Sequence, residues 1–375
     1  MKRSVLLVLA ALCGCGGPTE PELDAASIPL DASSDSFVAP DAARTFAIAS
    51  VEDLGEIPHP SETVVGRDGV SSGVIGGARL WTFGDTFLSH VTPWDMSHVA
   101  TATGAWSNDA LPLVFEQPVD ADGVPSQLVP YTTEELDDNL VDATDGWALW
   151  PGAVIDTGDD DALLLFQRIK RTMGVGFDGV GIGTARIRPR ETVARRDEAL
   201  LFERSLPPDS VGDVLYGAGG VSVIGETAYF LGCDAGCRLA RVPRTRADDR
   251  SAFEFFDGST WVTDIDAAEV VLRGVNAASI SWNEHLGRYV SVSSRVLSND
   301  VLVRTAPAIE GPWPTTGLVI TPSEGGILAA GEGNDYLAME QAGLGDASGR
   351  SIVISYSRPL GSFRGEVRLA RITFE

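Results

Sequence analysis

Arg288-Tyr-Val-Ser-Val-Ser293 is a short run of β-branched and aromatic residues with turn formers on both sides, and it recurs in kind along the chain. The matching runs are Arg79-Leu-Trp-Thr-Phe-Gly-Asp85, Ala162-Leu-Leu-Leu-Phe-Gln167, Thr227-Ala-Tyr-Phe-Leu-Gly232 and Ser351-Ile-Val-Ile-Ser-Tyr356. From Phe83 to Leu165, Phe230, Val292 and Ile354 the steps are 82, 65, 62 and 62 residues. Runs of this composition read as strands, and near-regular spacing of such units is the mark of radial repetition. Several are followed by a second strand, as in Gly183-Thr-Ala-Arg-Ile187, Arg238-Leu-Ala-Arg-Val242, Val301-Leu-Val-Arg-Thr305 and Val367-Arg-Leu-Ala-Arg-Ile372. Each is preceded by a more buried-looking strand, as in Trp150-Pro-Gly-Ala-Val-Ile155, Gly220-Val-Ser-Val-Ile224 and Ala278-Ser-Ile-Ser-Trp282. Inner, middle and outer strands in that order make a propeller blade. The expected fold is therefore all-β, a single five-bladed β-propeller over residues 45–375, with the strand near Thr45 to Val51 joining the last blade. A pair of β-sandwiches is the competing reading; it would use shorter repeats and leaves the 62-residue steps without a cause.

Residues 1–15 read as an export signal: Lys2 and Arg3, then an apolar run from Ser4 to Leu12 that is too short to span a bilayer, then small residues. Gly14-Cys15 resembles the lipobox of bacterial lipoproteins, in which a small residue precedes the acylated cysteine; the alternative is an ordinary cleaved signal that holds two cysteines. Lipidation at Cys15 is expected, with the protein exported and held by its lipid at the outer membrane or cell surface. Residues 16–44 interleave Glu20, Glu22, Asp24, Asp31, Asp35 and Asp41 with Pro, Ala and Ser. So little apolar surface cannot offset the entropy of ordering, so the stretch is expected to be a disordered tether.

The chain holds 53 Asp plus Glu against 28 Lys plus Arg, a formal charge of −25, which disfavours nucleic acid by repulsion and leaves neutral glycans or cationic groups open. Cys233-Asp-Ala-Gly-Cys237 in an oxidising exterior reads as a disulfide across a tight turn, since a metal would need two further ligands and no His or Cys lies nearby. No phosphate loop, nucleotide fingerprint, Ser-His-Asp pattern or metal-ligand spacing appears, so no cofactor and no metal are expected, and the protein is expected to be a monomer.

Gly66-Arg-Asp-Gly69 followed by Leu80-Trp-Thr-Phe-Gly-Asp-Thr-Phe87 resembles a secreted bacterial family built on a domain of unknown function, some members of which are endo-D-arabinanases. Further echoes are Arg238-Leu-Ala-Arg-Val-Pro243, Phe255-Phe-Asp-Gly258 with Trp261, Gly287-Arg-Tyr289, Glu310-Gly-Pro-Trp313, Ile354-Ser-Tyr-Ser357 and Glu366-Val-Arg-Leu-Ala-Arg371. The resemblance spans most of residues 60–375, and the Arg-Asp-Gly and Phe-Gly-Asp-Thr pair is its specific part. It implies a five-bladed propeller and hydrolysis of arabinofuranosyl bonds by acidic residues.

Glycoside hydrolysis needs two carboxyl groups, one to protonate the leaving oxygen and one to activate water or attack carbon. By the resemblance Asp68 is the first candidate; the plain reading of Asp-Gly is a turn aspartate. Asp85 ends an apolar strand, where Asp is disfavoured, so it serves either catalysis or a tie between turns. Glu340, in the inner strand of the last blade, is expected to point at the axis as a third carboxylate. Arg67 is placed to hold a hydroxyl or to pair with Asp68 and lower its pKa. Asn108, Asp109, Trp150, Tyr216 and Asn276 are candidates to line a sugar cleft, with blade core as the other reading of Trp150 and Tyr216. His90 and His98 follow the Phe-Gly-Asp-Thr motif closely enough to flank the same mouth. The expectation is a surface-anchored glycoside hydrolase acting on an arabinan or similar furanoside, with a poly- or oligosaccharide as partner; a non-catalytic glycan-binding propeller is the alternative.

Overall fold

Phe83, Leu165, Phe230, Val292 and Ile354 each lie on the second strand of a separate antiparallel sheet. The computed structural model describes residues 46–92, 98–141, 145–172, 176–206, 212–234, 236–296, 298–320, 334–361 and 364–375; the export signal, Cys15 and the acidic tether lie outside the described residues. Strand β1 (Ile48–Glu56) comes first but belongs to the last blade. Blade one is β2 (Val64–Ile75), β3 (Ala78–Leu88), β4 (Val99–Ser107) and β5 (Phe115–Glu116). After helix α1 (Thr133–Val141), blade two is β6 (Asp145–Asp156), β7 (Ala162–Thr172), β8 (Gly176–Ile187) and β9 (Arg195–Glu203). Blade three has six strands, β10 (Gly220–Ile224), β11 (Thr227–Cys233), β12 (Cys237–Pro243), β13 (Glu254–Phe256), β14 (Trp261–Val262) and β15 (Val270–Leu272), the last pairing back onto β12. Blade four is β16 (Ser279–Asn283), β17 (Arg288–Ser294), β18 (Val301–Ala306) and β19 (Leu318–Ile320). Blade five is β20 (Tyr336–Glu340), β21 (Ser351–Gly361), β22 (Arg364–Phe374) and β1, whose pairing with β22 joins the two ends of the domain and closes the ring.

The five blades form a β-propeller, and its core is divided among the blade interfaces. One apolar cluster joins Leu80 and Trp106 of blade one to Leu149 and Leu164 of blade two. Leu165 and Phe202 meet Tyr216 and Phe230 between blades two and three. Leu239 and Leu302 meet between three and four, Val292 and Ile354 between four and five, and Phe83 and Val353 between five and one. Middle strands are thus covered on both faces, which is why they are rich in apolar and small residues; every residue of β4 is buried. Each fully buried large side chain of this kind contributes about 1.5–3 kcal/mol. Two sandwiches would have two cores, each between facing sheets, so the wedge-like partition decides for the propeller.

The longer first step has a local cause. The connection from β5 to β6 carries α1, which begins at a reciprocal capping box: the Glu135 amide donates to Thr132 Oγ1 (3.2 Å) and the Thr132 amide donates to Glu135 Oε2 (3.0 Å). The wholly buried Glu135 also accepts from Arg168 Nε (2.6 Å) and from Arg196 at Oε2 (2.6 Å) and Oε1 (3.0 Å). One turn on, Asn139 Oδ1 accepts the Trp147 amide at 2.5 Å and Asn139 Nδ2 donates to the Trp147 carbonyl, so the helix grips the inner strand of blade two. Cys233 and Cys237 are disulfide-bonded across the β11–β12 hairpin.

Candidate active site

The tip of the β2–β3 hairpin is Gly76-Gly77, both with positive φ, the two-residue turn whose twist suits paired strands. This turn pairs Ile75 with Ala78, and counting down the ladder from there sets Asp68 directly opposite Asp85. Gly69, at φ 59°, adopts the left-handed conformation that side chains resist, and its amide donates to Ser357 Oγ of blade five at 2.9 Å. The Arg-Asp-Gly motif is therefore tied both to its own hairpin and to the closing blade.

Two donors hold Asp68. The Asp85 amide reaches Oδ1 at 3.1 Å, and the Tyr336 hydroxyl donates to Oδ2 at 2.7 Å. Burial first, and the facing Asp85 charge second, push the Asp68 carboxyl well above the usual carboxylate range against those bonds. Burial and the Asp68 charge push the Tyr336 phenol up as well, so it remains a neutral donor. Asp85 is half-buried and accepts from the Trp150 indole at 3.0 Å. Two carboxyls thus face each other in unlike surroundings, one buried and proton-retaining, the other open to an indole donor.

Asp68 lines an axial cavity of about 130 Å³ to which all five blades contribute, and Asp85 is tied to its wall through the Trp150 indole. Asp68 to Ser71 come from blade one, Trp150 to Ala153 from blade two, Gly217 and Gly220 from the approach to blade three, Asn276 from the approach to blade four, and Leu337 and Met339 from blade five. Inner strands crowd here: a Cβ on Gly220 would lie 2.3 Å from the Ala278 carbonyl oxygen, so glycine is required for the approach. Trp150 packs tilted against Phe177, 5.6 Å between ring centres, and both rings line the cavity, an apolar wall of the kind that stacks on a sugar face.

Asp68, Asp85, Trp150 and Asn276 are accordingly brought together, and the other candidates are not. Arg67 lies on the opposite face of β2 from Asp68, because adjacent strand residues alternate. It stacks 4.1 Å over Phe83 and bonds Gln117 and the Pro58 carbonyl, and burial lowers its pKa to about 9. It does not pair with Asp68, whose pKa is raised instead of lowered. Glu340 accepts from Ser281 of blade four and is absent from the cavity wall. The register slips between Tyr336 and Met339, where Leu337 takes φ 52°, and that bulge reverses the alternation that pointed Glu340 at the axis.

Tyr216 is 0% exposed, packed between Phe202 and Phe255, and so belongs to the blade core. Asn108 caps its own loop through Ala110, Pro112 and Val114, and Asp109 is bonded by Arg79 at 2.6 Å. His90 is exposed and shares a bond with Ser89, while a ring nitrogen of His98 lies 3.1 Å from the Leu88 carbonyl oxygen. Sequence reasoning missed Tyr336, although it begins the very strand from which Glu340 was chosen, and also Phe177. The Gly76-Gly77 turn was the available signal for the Asp68–Asp85 pairing.

Residues 217–332, which hold blades three and four, match the family model of a domain of unknown function, DUF4185. The Gly66–Gly69 and Leu80–Phe87 motifs lie outside that match. No curated protein matches the sequence. Among solved structures, a family 117 glycoside hydrolase produced by the marine bacterium Zobellia galactanivorans is similar at 11% identity, covering 86% of this chain and 90% of its own, with a TM-score of 0.50. A GH43_1 enzyme from Xanthomonas citri, complexed with xylotriose, is similar at 13% identity over 85% of this chain and 89% of its own, TM-score 0.48. The catalytic domain of a GH62 alpha-L-arabinofuranosidase from Coprinopsis cinerea is similar at 8% identity over 87% and 98%, TM-score 0.48. At such identities the likeness to the first of these shows the propeller fold.

Proposed function

We propose that the protein is a glycoside hydrolase that cleaves a furanosidic glycan such as arabinan, with Asp68 as the general acid and Asp85 as the nucleophile. The observation that carries the proposal is the Asp68–Asp85 pair, facing across one hairpin, with Asp68 on the wall of the axial cavity and its carboxyl pushed above the usual carboxylate range. Directly opposed strand residues have Cβ atoms about 4.5–5.5 Å apart. Carboxyls borne on such a pair can approach to about 5 Å, the separation that suits a retaining mechanism. In that mechanism Asp68 gives its proton to the glycosidic oxygen as Asp85 attacks the anomeric carbon, forming a glycosyl ester. Asp68, now ionised, then takes a proton from water, which displaces Asp85 and restores both groups. The furanoside preference is supported by the motif resemblance around Asp68 and Asp85.

The test is hydrolysis of a panel of bacterial and plant polysaccharides by the purified protein, with the anomer of the first-formed product read by NMR. Release of the retained anomer is expected. Binding of a glycan with no cleavage would replace this reading by the non-catalytic one.

Tyr336 is a positioning residue in this scheme, since its hydroxyl favours the ionised form of Asp68. Tyr336→Phe is expected to move the alkaline limb of the kcat/KM profile upward, because the acid then holds its proton to higher pH. An unmoved limb would separate Tyr336 from the proton inventory.

Lipid anchoring belongs to the same proposal and is supported by Gly14-Cys15 after a short apolar run, ahead of an acidic spacer. Two acyl chains hold a membrane stably where one does not. Cys15→Ala should release the protein from the membrane fraction of the producing cell, and unchanged retention would count against the anchor.

A further inference from the structure

We infer that the cavity also holds a subsite for a single anionic group on the sugar, a uronate carboxylate or a sulfate ester, read by Arg204; this rests on the glycan reading above. Arg204 follows β9 on the connection to blade three, its amide donating to the Val180 carbonyl at 2.9 Å and its backbone bridged to Gly212. Its side chain lines the same cavity as Asp68, beside Phe177 and Leu215. Its Nε is buried without an acceptor, and among the described residues no hydrogen bond or ion pair engages the guanidinium. Arg67, Arg196, Arg304 and Arg368 also have a buried, unbonded Nε, yet each bonds through its terminal nitrogens, to Gln117, Glu135, the Arg273 carbonyl, and Glu366 with Asp53 respectively.

In a chain with 53 acidic side chains, a cavity arginine that pairs with none among the described residues points to an acceptor from outside. The buried Nε–H of Arg204 lacks an acceptor, and the planar fork of guanidinium donors matches a carboxylate or sulfate through two parallel bonds. A neutral hydroxyl satisfies one N–H and leaves the charge uncompensated. The net charge of −25 does not oppose this. Exposed charges farther than about 8 Å are largely screened at physiological ionic strength, and burial pushes the Asp68 carboxyl on the cavity wall towards its neutral form. A long polyanion would still be repelled, so the ligand carries one charge at this position.

The probes are methyl galactofuranoside, its 6-sulfate and the corresponding methyl galactofuranosiduronate, titrated into the full chain alongside inorganic sulfate as a competitor. One charged form is expected to bind about ten- to a hundred-fold more tightly than the neutral glycoside, the range for hydrogen bonds to a charged group. Whichever wins identifies the carboxylate or the sulfate. Arg204→Gln should bring that ratio close to one without lowering thermal stability, since no partner among the described residues is lost, and Arg204→Lys should keep part of it. Equal binding of neutral and charged glycosides, or a ratio untouched in Arg204→Gln, overturns the subsite and leaves the glycan reading standing. Binding of inorganic sulfate that needs Arg204, with none of the sugars bound, upholds the anion site and counts against the glycan reading. Silence from every probe overturns the inference.

Discussion

Asp68→Asn is expected to lower turnover on any cleaved glycan by about 10²–10⁴-fold, the usual worth of a positioned general acid, while leaving the protein at least as stable as the parent near neutral pH. The two halves of that result have one cause. The folded-state pKa of Asp68 is raised, by burial and then by Asp85, so the folded chain holds this proton more tightly than the unfolded chain. Its contribution to stability is complete below the unfolded value near pH 3.9 and is lost as pH rises through the folded value. An amide cannot ionise and so escapes that loss. Asn can still accept the Asp85 amide and donate to the Tyr336 oxygen, which keeps the hairpin satisfied. Asp85→Asn should abolish turnover at least as deeply, since the nucleophile itself is removed. Thermal unfolding measured at several pH values beside the activity separates this from a turn aspartate. A structural role predicts a loss of about 1–3 kcal/mol with activity kept in the folded fraction. Near parental turnover in both folded variants would remove the pair from the mechanism.

Glu135→Ala is expected to be the most destabilising single change, by about 3–5 kcal/mol, because it leaves the Arg168 and Arg196 guanidiniums facing a site with no counter-charge. Burial alone would raise the Glu135 pKa, but the Arg196 and Arg168 bonds and the Thr132 amide together hold it below the ordinary carboxylate value. A depressed folded-state pKa contributes stability that is present above the unfolded value near pH 4.3 and is lost as pH falls through the folded value. The gap in Tm between parent and variant should therefore be widest at neutral pH and close under acid conditions; a gap independent of pH would mean that packing, not charge, is what Glu135 supplies. Since α1 grips β6 at Trp147, three residues from Trp150, the variant should also loosen the aromatic wall of the cavity.

How far these features were readable from the chain differs residue by residue. Glu135 sits in Thr132-Thr-Glu-Glu135, whose spacing is that of a capping box, yet its arginine partners come from β7 and from β9, 33 and 61 residues on. Asp68 and Asp85 stood out by motif, and their pairing follows from counting inward from Gly76-Gly77. Arg67 and Asp68 are neighbours in sequence but not in space, because strand pleating sends adjacent residues to opposite faces. Trp150 and Tyr216 carried the same pair of readings, and the packing of Phe202 and Phe255 around one ring but not the other separated them.

The sequence by itself determined the number and order of blades, because a middle strand covered on both faces is rich in apolar and small residues, and that local demand repeats wherever a blade repeats. It also determined which hairpin carries the two aspartates. Only the tertiary structure decided what surrounds them. Tyr336 reaches Asp68 across 268 residues because β1 closes the ring onto β22 and brings the fifth blade against the first. Glu340 is lost to the axis through one bulge at Leu337, and Arg204 meets the cavity through a crossover between blades. Contacts of that kind depend on how whole sheets pack around an axis, where a single residue of slippage reverses a face, and no local pattern of apolar and polar residues encodes it.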